Sequence, residues 1–223
     1  MSLEYIVQAP KAIKEKNGAL ILLHGYGSNE EDLFSFAPQL PEDVYVISVR
    51  APYDLQPYGY AWYEITFDAD ENKFSNNEQA KESLQVIANF IDEISEKLPL
   101  DKSNISLIGF SQGAILSYGM AFTYPEKINK IVALSGYLNE QILPESYDIN
   151  KIKHIDFFAS HGSQDQVIPV EWARKTQPFL EKLGLRVVYK EDSVRVDWLL
   201  HGIRVSHFET RLQTGVCCLA WHG

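Results

Sequence analysis

The serine of Gly109–Gly113 (Gly-Phe-Ser-Gln-Gly) stands in a context that favours nucleophilic catalysis. An apolar run, Ile105–Ile108, precedes it and Ala114–Leu116 follows it, which predicts a strand, a tight turn and a helix. Such a nucleophile elbow strains the serine backbone and leaves the hydroxyl exposed at a helix N-terminus. Amides there favour the negative oxygen that forms when a hydroxyl attacks a carbonyl. The pattern therefore predicts acyl transfer through Ser111.

The loop after the first predicted strand offers donors for that negative oxygen. His24–Gly27 is His-Gly-Tyr-Gly, and small residues there let backbone N–H groups approach the space above Ser111. We expect the amides of Tyr26 and Gln112 to form the oxyanion hole, the second because it follows the nucleophile. His24 precedes the nucleophile strand, so we favour a hydrogen bond that holds its own loop over a catalytic role.

A later segment supplies the candidate acid. Asp165 follows the predicted strand Asp156–Ala159, in a loop that begins Ser-His-Gly-Ser-Gln-Asp. In a serine triad the acid holds the histidine tautomer and stabilises the imidazolium while it remains ionised. We assign that role to Asp165. His161 lies on the same loop, and its proximity to Asp165 favours a supporting contact over the role of base.

These residues need a sheet whose strands end at one edge. Apolar runs alternate with helical stretches along the chain, which is typical of a parallel sheet covered on both faces. The predicted strands are Ala19–Leu23, Val44–Val49, Ile105–Ile108, Ile131–Leu134, Asp156–Ala159 and Arg186–Tyr189. Apolar spacing, together with Pro and Gly stop signals, predicts helices over Asn77–Leu98, Gln112–Tyr124 and Val170–Leu183.

The segment Pro52–Asn76 holds no helical or strand period for long, but it concentrates aromatic residues. A long loop beside a sheet often lines a binding site. We expect Trp62 and Tyr63 in this segment to contact substrate. The alternative is a loop packed down by its own aromatic side chains, and the sequence leaves both open.

Composition limits the classes of protein. The 223 residues fit one α/β domain spanning 1–223. A net charge of −10 disfavours a nucleic-acid partner. No apolar run approaches the roughly 20 residues that span a bilayer, and the first residues lack the apolar core of a secretion signal, so we expect no membrane insertion and a cytoplasmic location. The adjacent Cys217 and Cys218 have no predicted function.

Together, four groups of residues resemble the phospholipase/carboxylesterase family of α/β-hydrolases, which includes bacterial carboxylesterases and acyl-protein thioesterases. The groups are Leu23–Gly27, Arg50–Pro52 with Trp62 and Tyr63, Gly109–Gly113, and His161–Gly162 with Asp165 and Ile168–Pro169. The resemblance implies an α/β-hydrolase fold, with a mostly parallel central sheet and helices on both faces. It further implies Ser-His-Asp catalysis without metal or cofactor on esters or thioesters of short to medium acyl chains, commonly in a small homodimer.

The resemblance breaks at the catalytic histidine. The family places it in a turn shortly after the last strand, which falls near Val196 or Asp197, and neither is a histidine. His201, in Leu-His-Gly-Ile, is the nearest candidate base, and a longer loop would deliver it to Ser111. His207 is the second candidate.

Composition also changes near Val194. All fourteen lysines lie at or before Lys190, whereas both cysteines and three of the six histidines follow Val194. Residues 194–223 are either a divergent authentic tail or the product of a frame shift that replaced the native terminus. We favour the frame shift, because the amphipathic closing helix expected of the family is weak here. Without a base near Ser111, the chain would be a catalytically impaired binding protein on a hydrolase fold.

Overall fold

A computed structural model describes residues 2–67 and 73–192 of the chain. The strands are β1 Tyr5–Gln8, β2 Asn17–Leu23, β3 Tyr45–Val49, β4 Tyr53–Asp54, β5 Tyr60–Ala61, β6 Ile65–Phe67, β7 Lys73–Ser75, β8 Leu100–Phe110, β9 Lys130–Leu134, β10 Asp156–Gly162 and β11 Arg186–Asp192. The α-helices are α1 Glu30–Phe34, α2 Asn77–Lys97, α3 Gln112–Thr123, α4 Ile149–Ile152, α5 Val170–Arg174 and α6 Thr176–Lys182. Short 3₁₀ turns cover Ala37–Gln39, Pro125–Lys127 and Glu140–Ile142.

The centre of the molecule is a seven-stranded sheet in the order β1-β3-β2-β8-β9-β10-β11. β1 pairs antiparallel with β3, and the other neighbours pair in parallel. Every residue of β2 and of β3 is buried, as expected for strands covered on both faces. The predicted mostly parallel α/β sheet is confirmed.

Two hydrophobic clusters cover the two faces of the sheet. In β2, Ile21 and Leu23 belong to the larger cluster with α2 and α3, whereas Leu20 and Leu22 belong to the smaller cluster with Leu33 of α1. This alternation follows the two-residue period of strand side chains. The sheet is therefore held from both sides. Of the helices in the described ranges, none is long and apolar enough to cross a membrane.

The six predicted strands are all present, and β8 is longer than expected, because it starts at Leu100. The predicted helix over Val170–Leu183 is interrupted at Lys175. Pro178 explains the break, since it has no N–H for the carbonyl of Arg174 and its ring would clash there. The short elements β1, α1 and the hairpins β4–β5 and β6–β7 were not predicted.

The carboxyl ends of four parallel strands meet at one edge of the sheet. Leu23 of β2 is in register with Gly109 of β8, and Leu134 of β9 is in register with Phe110 of β8 and Ser160 of β10. The segments that leave these ends carry the candidate nucleophile, oxyanion donors and acid. This is the edge at which open parallel sheets bind ligands.

Candidate active site

Ser111 occupies the sharp turn between β8 and α3. Its backbone is in the left-handed region, with φ 51° and ψ −112°, a conformation that costs a non-glycine residue about 1–3 kcal/mol. Two hydrogen bonds hold it there: the Ser111 amide donates to the Leu134 carbonyl at 2.9 Å, and the Ile115 amide donates to the Ser111 carbonyl at 3.1 Å. The predicted strand, elbow and helix are confirmed.

The two elbow glycines allow backbone contacts that no side chain would permit. A Cβ on Gly109 would lie 2.2 Å from the carbonyl oxygen of Gly113, and a Cβ on Gly113 would lie 2.0 Å from that of Leu23. Real Cβ atoms do not approach so closely, so both positions require glycine. The second contact packs the start of α3 against the end of β2, which brings the loop after β2 over the elbow.

Gly25 is the residue of that loop that lies against the nucleophile. A Cβ at this position would be 3.3 Å from the Cβ of Ser111 and 2.9 Å from the ring of Phe110. The loop is tied by the Gly27 amide, which donates to the Tyr60 carbonyl at 2.9 Å. The neighbouring amide of Tyr26 has no acceptor among the described residues. Gln112 opens α3, where first-turn amides have no partner within the helix.

His24 fixes the base of this loop. Its Nδ1 donates to the Gly25 carbonyl at 2.7 Å, and its Nε2 accepts the Ala51 amide at 3.1 Å. The ring is fully buried, and this burial lowers the pKa of His24. Because both ring nitrogens already have backbone partners, His24 holds the loop, as the sequence favoured.

An ion pair supports the same loop from behind. The Arg50 guanidinium donates from Nε to Oε2 of Glu30 at 2.6 Å and from Nη2 to Oε1 at 2.5 Å. It also lies over the Tyr60 ring, 4.7 Å from the centroid. Bidentate pairing is the strong geometry for Arg with a carboxylate. The paired guanidinium therefore holds the Tyr60 ring in place, and the Tyr60 carbonyl accepts the Gly27 amide of the loop.

The side chain of Gln112 joins the elbow to the aromatic segment. Its Oε1 accepts the Trp62 amide at 3.1 Å, and its Nε2 donates to the Tyr63 carbonyl at 2.8 Å. The Trp62 indole donates to the His24 carbonyl at 2.9 Å. This bridge was not predicted from the sequence. Its only indication there is the position of Gln112 directly after the nucleophile.

The expectation that Trp62 and Tyr63 contact substrate needs correction. Their side chains are 0% and 2% exposed, so neither presents a surface on which a ligand could rest. Packing explains this, because both rings belong to the larger core cluster. They hold the segment against the elbow, which is the packed alternative left open by the sequence.

Asp165 lies in the loop after β10, with its side chain largely buried. Its Oδ1 accepts the amides of Val167 at 2.8 Å and Ile168 at 3.0 Å. Its Oδ2 lies 3.5 Å from Nε2 of His161. Nε2 of His161 is also 3.0 Å from the Ile168 carbonyl, which can only accept, so this nitrogen carries the hydrogen. The buried Nδ1 of His161 has no partner within the described part of the chain.

The candidate bases His201 and His207 lie outside the described residues, as do His222 and the cysteine pair. The described part of the site therefore comprises the elbow, the loop at Gly25 and Tyr26, and Asp165 with His161. The three segments leave the ends of β8, β2 and β10 at the same edge of the sheet. That arrangement defines an α/β-hydrolase with a serine elbow.

Comparisons with known proteins narrow this class. The phospholipase/carboxylesterase family model matches residues 5–203. Acyl-protein thioesterase 1 of Kluyveromyces lactis is 31% identical over 194 residues, which cover 82% of this chain and 84% of the relative. Esterase YpfH of Escherichia coli K12 is 25% identical over 230 residues, covering 95% and 93%. The chain belongs to the phospholipase/carboxylesterase family and is a hydrolase that acts on ester bonds.

Solved structures agree on the fold. A carboxylesterase from Mesorhizobium loti superposes with a TM-score of 0.77 at 16% identity, covering 96% of this chain and 95% of that one. The Bacillus cereus carboxylesterase gives a TM-score of 0.73 at 19% identity, covering 89% and 92%. The α/β-hydrolase fold predicted from the motifs is thus confirmed.

Proposed function

We propose that this hydrolase cleaves carboxylic esters or thioesters of short to medium acyl chains through an acyl-enzyme on Ser111. The strained elbow carries the proposal: Ser111 has φ 51° and lies directly beneath the Gly25 loop. Such a strained, non-glycine conformation at the end of a strand is the backbone geometry that a nucleophile elbow requires. The thioesterase and esterase names of the relatives support the substrate class.

In the proposed reaction, Oγ of Ser111 bonds to the acyl carbon while its proton passes to the histidine. The amides of Tyr26 and Gln112 donate to the tetrahedral oxyanion. The bond to the alcohol or thiol then breaks, and the histidine returns the proton to the leaving atom. Water, deprotonated by the same histidine, releases the acid and restores Ser111.

The proposed base is His201, oriented by Asp165. Oδ1 of Asp165 is occupied by two backbone amides, so Oδ2 is the oxygen available to a histidine. The family match extends to residue 203 and so includes His201. His207 is the alternative base. If neither serves, the protein is an impaired hydrolase-fold binding protein.

A fluorophosphonate probe and p-nitrophenyl butyrate test this proposal on the full chain. The probe should label the unaltered protein and not Ser111→Ala. Hydrolysis should disappear in His201→Ala and persist in His207→Ala, since losing a triad member costs about four to six orders of magnitude. Equal labelling of the unaltered protein and of Ser111→Ala would reject Ser111 as the nucleophile. Labelling without hydrolysis would favour the impaired protein.

We also propose a cytoplasmic homodimer, on the family resemblance alone. Light scattering of the purified chain tests the dimer, and fractionation of the producing cell tests the location. A mass equal to one chain across micromolar concentrations would exclude a stable dimer.

A further inference from the structure

A cleft of about 530 Å³ opens between the N-terminus of α2, the segment after β9 and the α5–α6 pair. We name it the amide–aromatic cleft after its two walls. Tyr137, Trp172 and Phe179 form the aromatic wall, and side-chain amides form the other, from Asn77, Asn139 and Gln141. Ligand sites commonly combine apolar walls with a few oriented polar groups.

The amide wall is a connected row of hydrogen bonds. Nδ2 of Asn139 donates to Oδ1 of Asn77 at 3.1 Å, and Nδ2 of Asn77 donates to Oε1 of Gln141 at 2.6 Å. Nε2 of Gln141, at the end of the row, has no acceptor among the described residues. The row therefore fixes the orientation of Gln141 and leaves it a donor for a carbonyl oxygen in the cleft.

The aromatic wall is also held in place. Trp172 packs edge to face with Tyr137, with ring centroids 5.1 Å apart and planes at 69°. Thr176 at the start of α6 accepts the Leu138 amide at 3.0 Å. Trp172 is nevertheless 37% exposed, so part of its indole is available to a ligand.

Two chain segments join the aromatic wall to the candidate active site: Tyr137 follows Gly136 beside the elbow, and α5, which carries Trp172, follows the acid loop. A Cβ on Gly136, which precedes Tyr137, would lie 3.1 Å from the carbonyl oxygen of Ser111. Helix α5 follows Asp165 along the chain. In acyl transfer, the histidine held by the acid protonates the leaving atom, so the leaving group extends from the nucleophile toward the acid's side. A leaving group that extends in this direction would meet the segments that carry Tyr137 and Trp172.

The charges in the lining balance. Lys175 and Glu140 both border the cleft, one of each sign, so it carries no net formal charge that would select an ion. Aromatic rings and amides dominate the remaining surface, and they suit a neutral group that combines apolar surface with amide hydrogen bonding.

We infer that the amide–aromatic cleft binds the leaving group of the substrate, and that it selects neutral alcohols or thiols in which an aromatic or apolar group accompanies an amide. This inference rests on the proposed ester or thioester hydrolysis. It assigns the cleft to the alcohol or thiol side of the scissile bond.

Binding of a product-like alcohol tests the cleft without catalysis. N-acetyl-seryl-phenylalanine amide is titrated into the full chain by calorimetry. The dissociation constant should rise about tenfold in Trp172→Ala and several-fold in Gln141→Ala, because aromatic side chains that become buried on binding dominate the binding free energy. Asn89→Ala, a matched loss of an exposed amide on α2, should leave it unchanged. Equal affinity of the unaltered chain and both cleft variants would overturn the inference. Tighter binding of the analogue in which aspartate replaces phenylalanine would overturn the proposed selectivity for neutral leaving groups.

Hydrolysis separates this inference from the proposed function. The O-butyryl ester of the same dipeptide should be cleaved with about tenfold higher kcat/KM than the O-butyryl ester of N-acetylserine methylamide, which has the same acyl group and alcohol. Trp172→Ala should remove this preference and leave the smaller ester unaffected. Ser111-dependent hydrolysis without any preference would reject the cleft and keep the hydrolase. Trp172-dependent binding without hydrolysis would reject the proposed catalysis and keep the cleft.

Discussion

Asp165 and His161 approach to 3.5 Å, Oδ2 to Nε2, and both side chains are enclosed by the protein. Because Nε2 of His161 also donates to the Ile168 carbonyl, one imidazole ties the proposed acid to the segment that supplies its backbone donors. The segment whose amides hold Oδ1 of the acid is thus fixed before any catalytic histidine approaches, and Oδ2 is left for that histidine.

Replacing His161 should lower turnover without weakening substrate binding. We expect kcat to fall about tenfold in His161→Ala with KM unchanged, since a mobile acid orients the catalytic base poorly. His161→Gln, which keeps a side-chain donor, should recover most of the loss. His154→Ala removes a similar ring, bonded at 3.0 Å to the Ile128 carbonyl at the other end of the sheet, and should not change kcat. A kcat in His161→Ala equal to that of His154→Ala and of the unaltered chain would contradict a positioning role for His161.

Gly25→Ala tests the space above the nucleophile. The new methyl would lie 2.9 Å from the Phe110 ring and 3.3 Å from Cβ of Ser111, so the loop or the serine must shift. We expect kcat/KM for p-nitrophenyl butyrate to fall about a hundredfold and the free energy of unfolding by about 1–2 kcal/mol. Gly184→Ala is the control, because its methyl meets nothing within 4 Å. It should cost about 1 kcal/mol of stability and no activity, and a similar loss of activity in both variants would count against the crowding argument.

Gln112→Ala tests the bridge to Trp62 and Tyr63. It would leave a buried amide and a buried carbonyl without partners, so the free energy of unfolding in urea should drop by about 2–3 kcal/mol. Fluorophosphonate labelling of Ser111 should persist in the folded variant, since the proposed oxyanion donor is the backbone amide of residue 112. Gln177→Ala removes an exposed amide bonded to Glu181 and should change stability by less than about 0.5 kcal/mol. A Gln112→Ala protein as stable as this control would show that the bridge contributes little.

His24 should make stability depend on pH. Burial holds its folded-state pKa below the ordinary value of 6.5, so the unfolded chain takes up the proton first as pH falls. The contribution of neutral, buried His24 to the free energy of unfolding is fully present above pH 6.5. It decreases as pH falls from there toward the folded-state pKa. Urea unfolding at about pH 7.5 and 5.5 should show a smaller loss in His24→Gln than in the unaltered chain. Parallel losses would exclude His24 as the source.

Sequence patterns predicted the strands that are buried on both faces and the long helix with a regular apolar stripe. β2 and β3 are apolar on both faces, and α2 carries a continuous apolar stripe, so their residue types reveal them. β1 is a partly exposed edge strand, and the hairpins β4–β5 and β6–β7 have strands of two or three residues. Elements so short show no measurable period, and their pairing depends on contacts distant in sequence.

The candidate site was predictable to the extent that local geometry defines it. The elbow at Ser111 follows from a strand, two glycines and a helix that are contiguous in the chain. The burial of Trp62 and Tyr63 does not, because it depends on Gln112, which lies about fifty residues away. Residue type alone does not distinguish an aromatic ring that lines a site from one that packs beneath it.

The bond from the Ser111 amide to the Leu134 carbonyl places the nucleophile's backbone within the hydrogen-bonded centre of the sheet. Amide hydrogen exchange at Ser111 should therefore require opening of the whole sheet, unlike exchange in a peripheral loop. Heat should accordingly inactivate the nucleophile only when the entire fold melts, so the loss of probe labelling would follow the calorimetric unfolding transition.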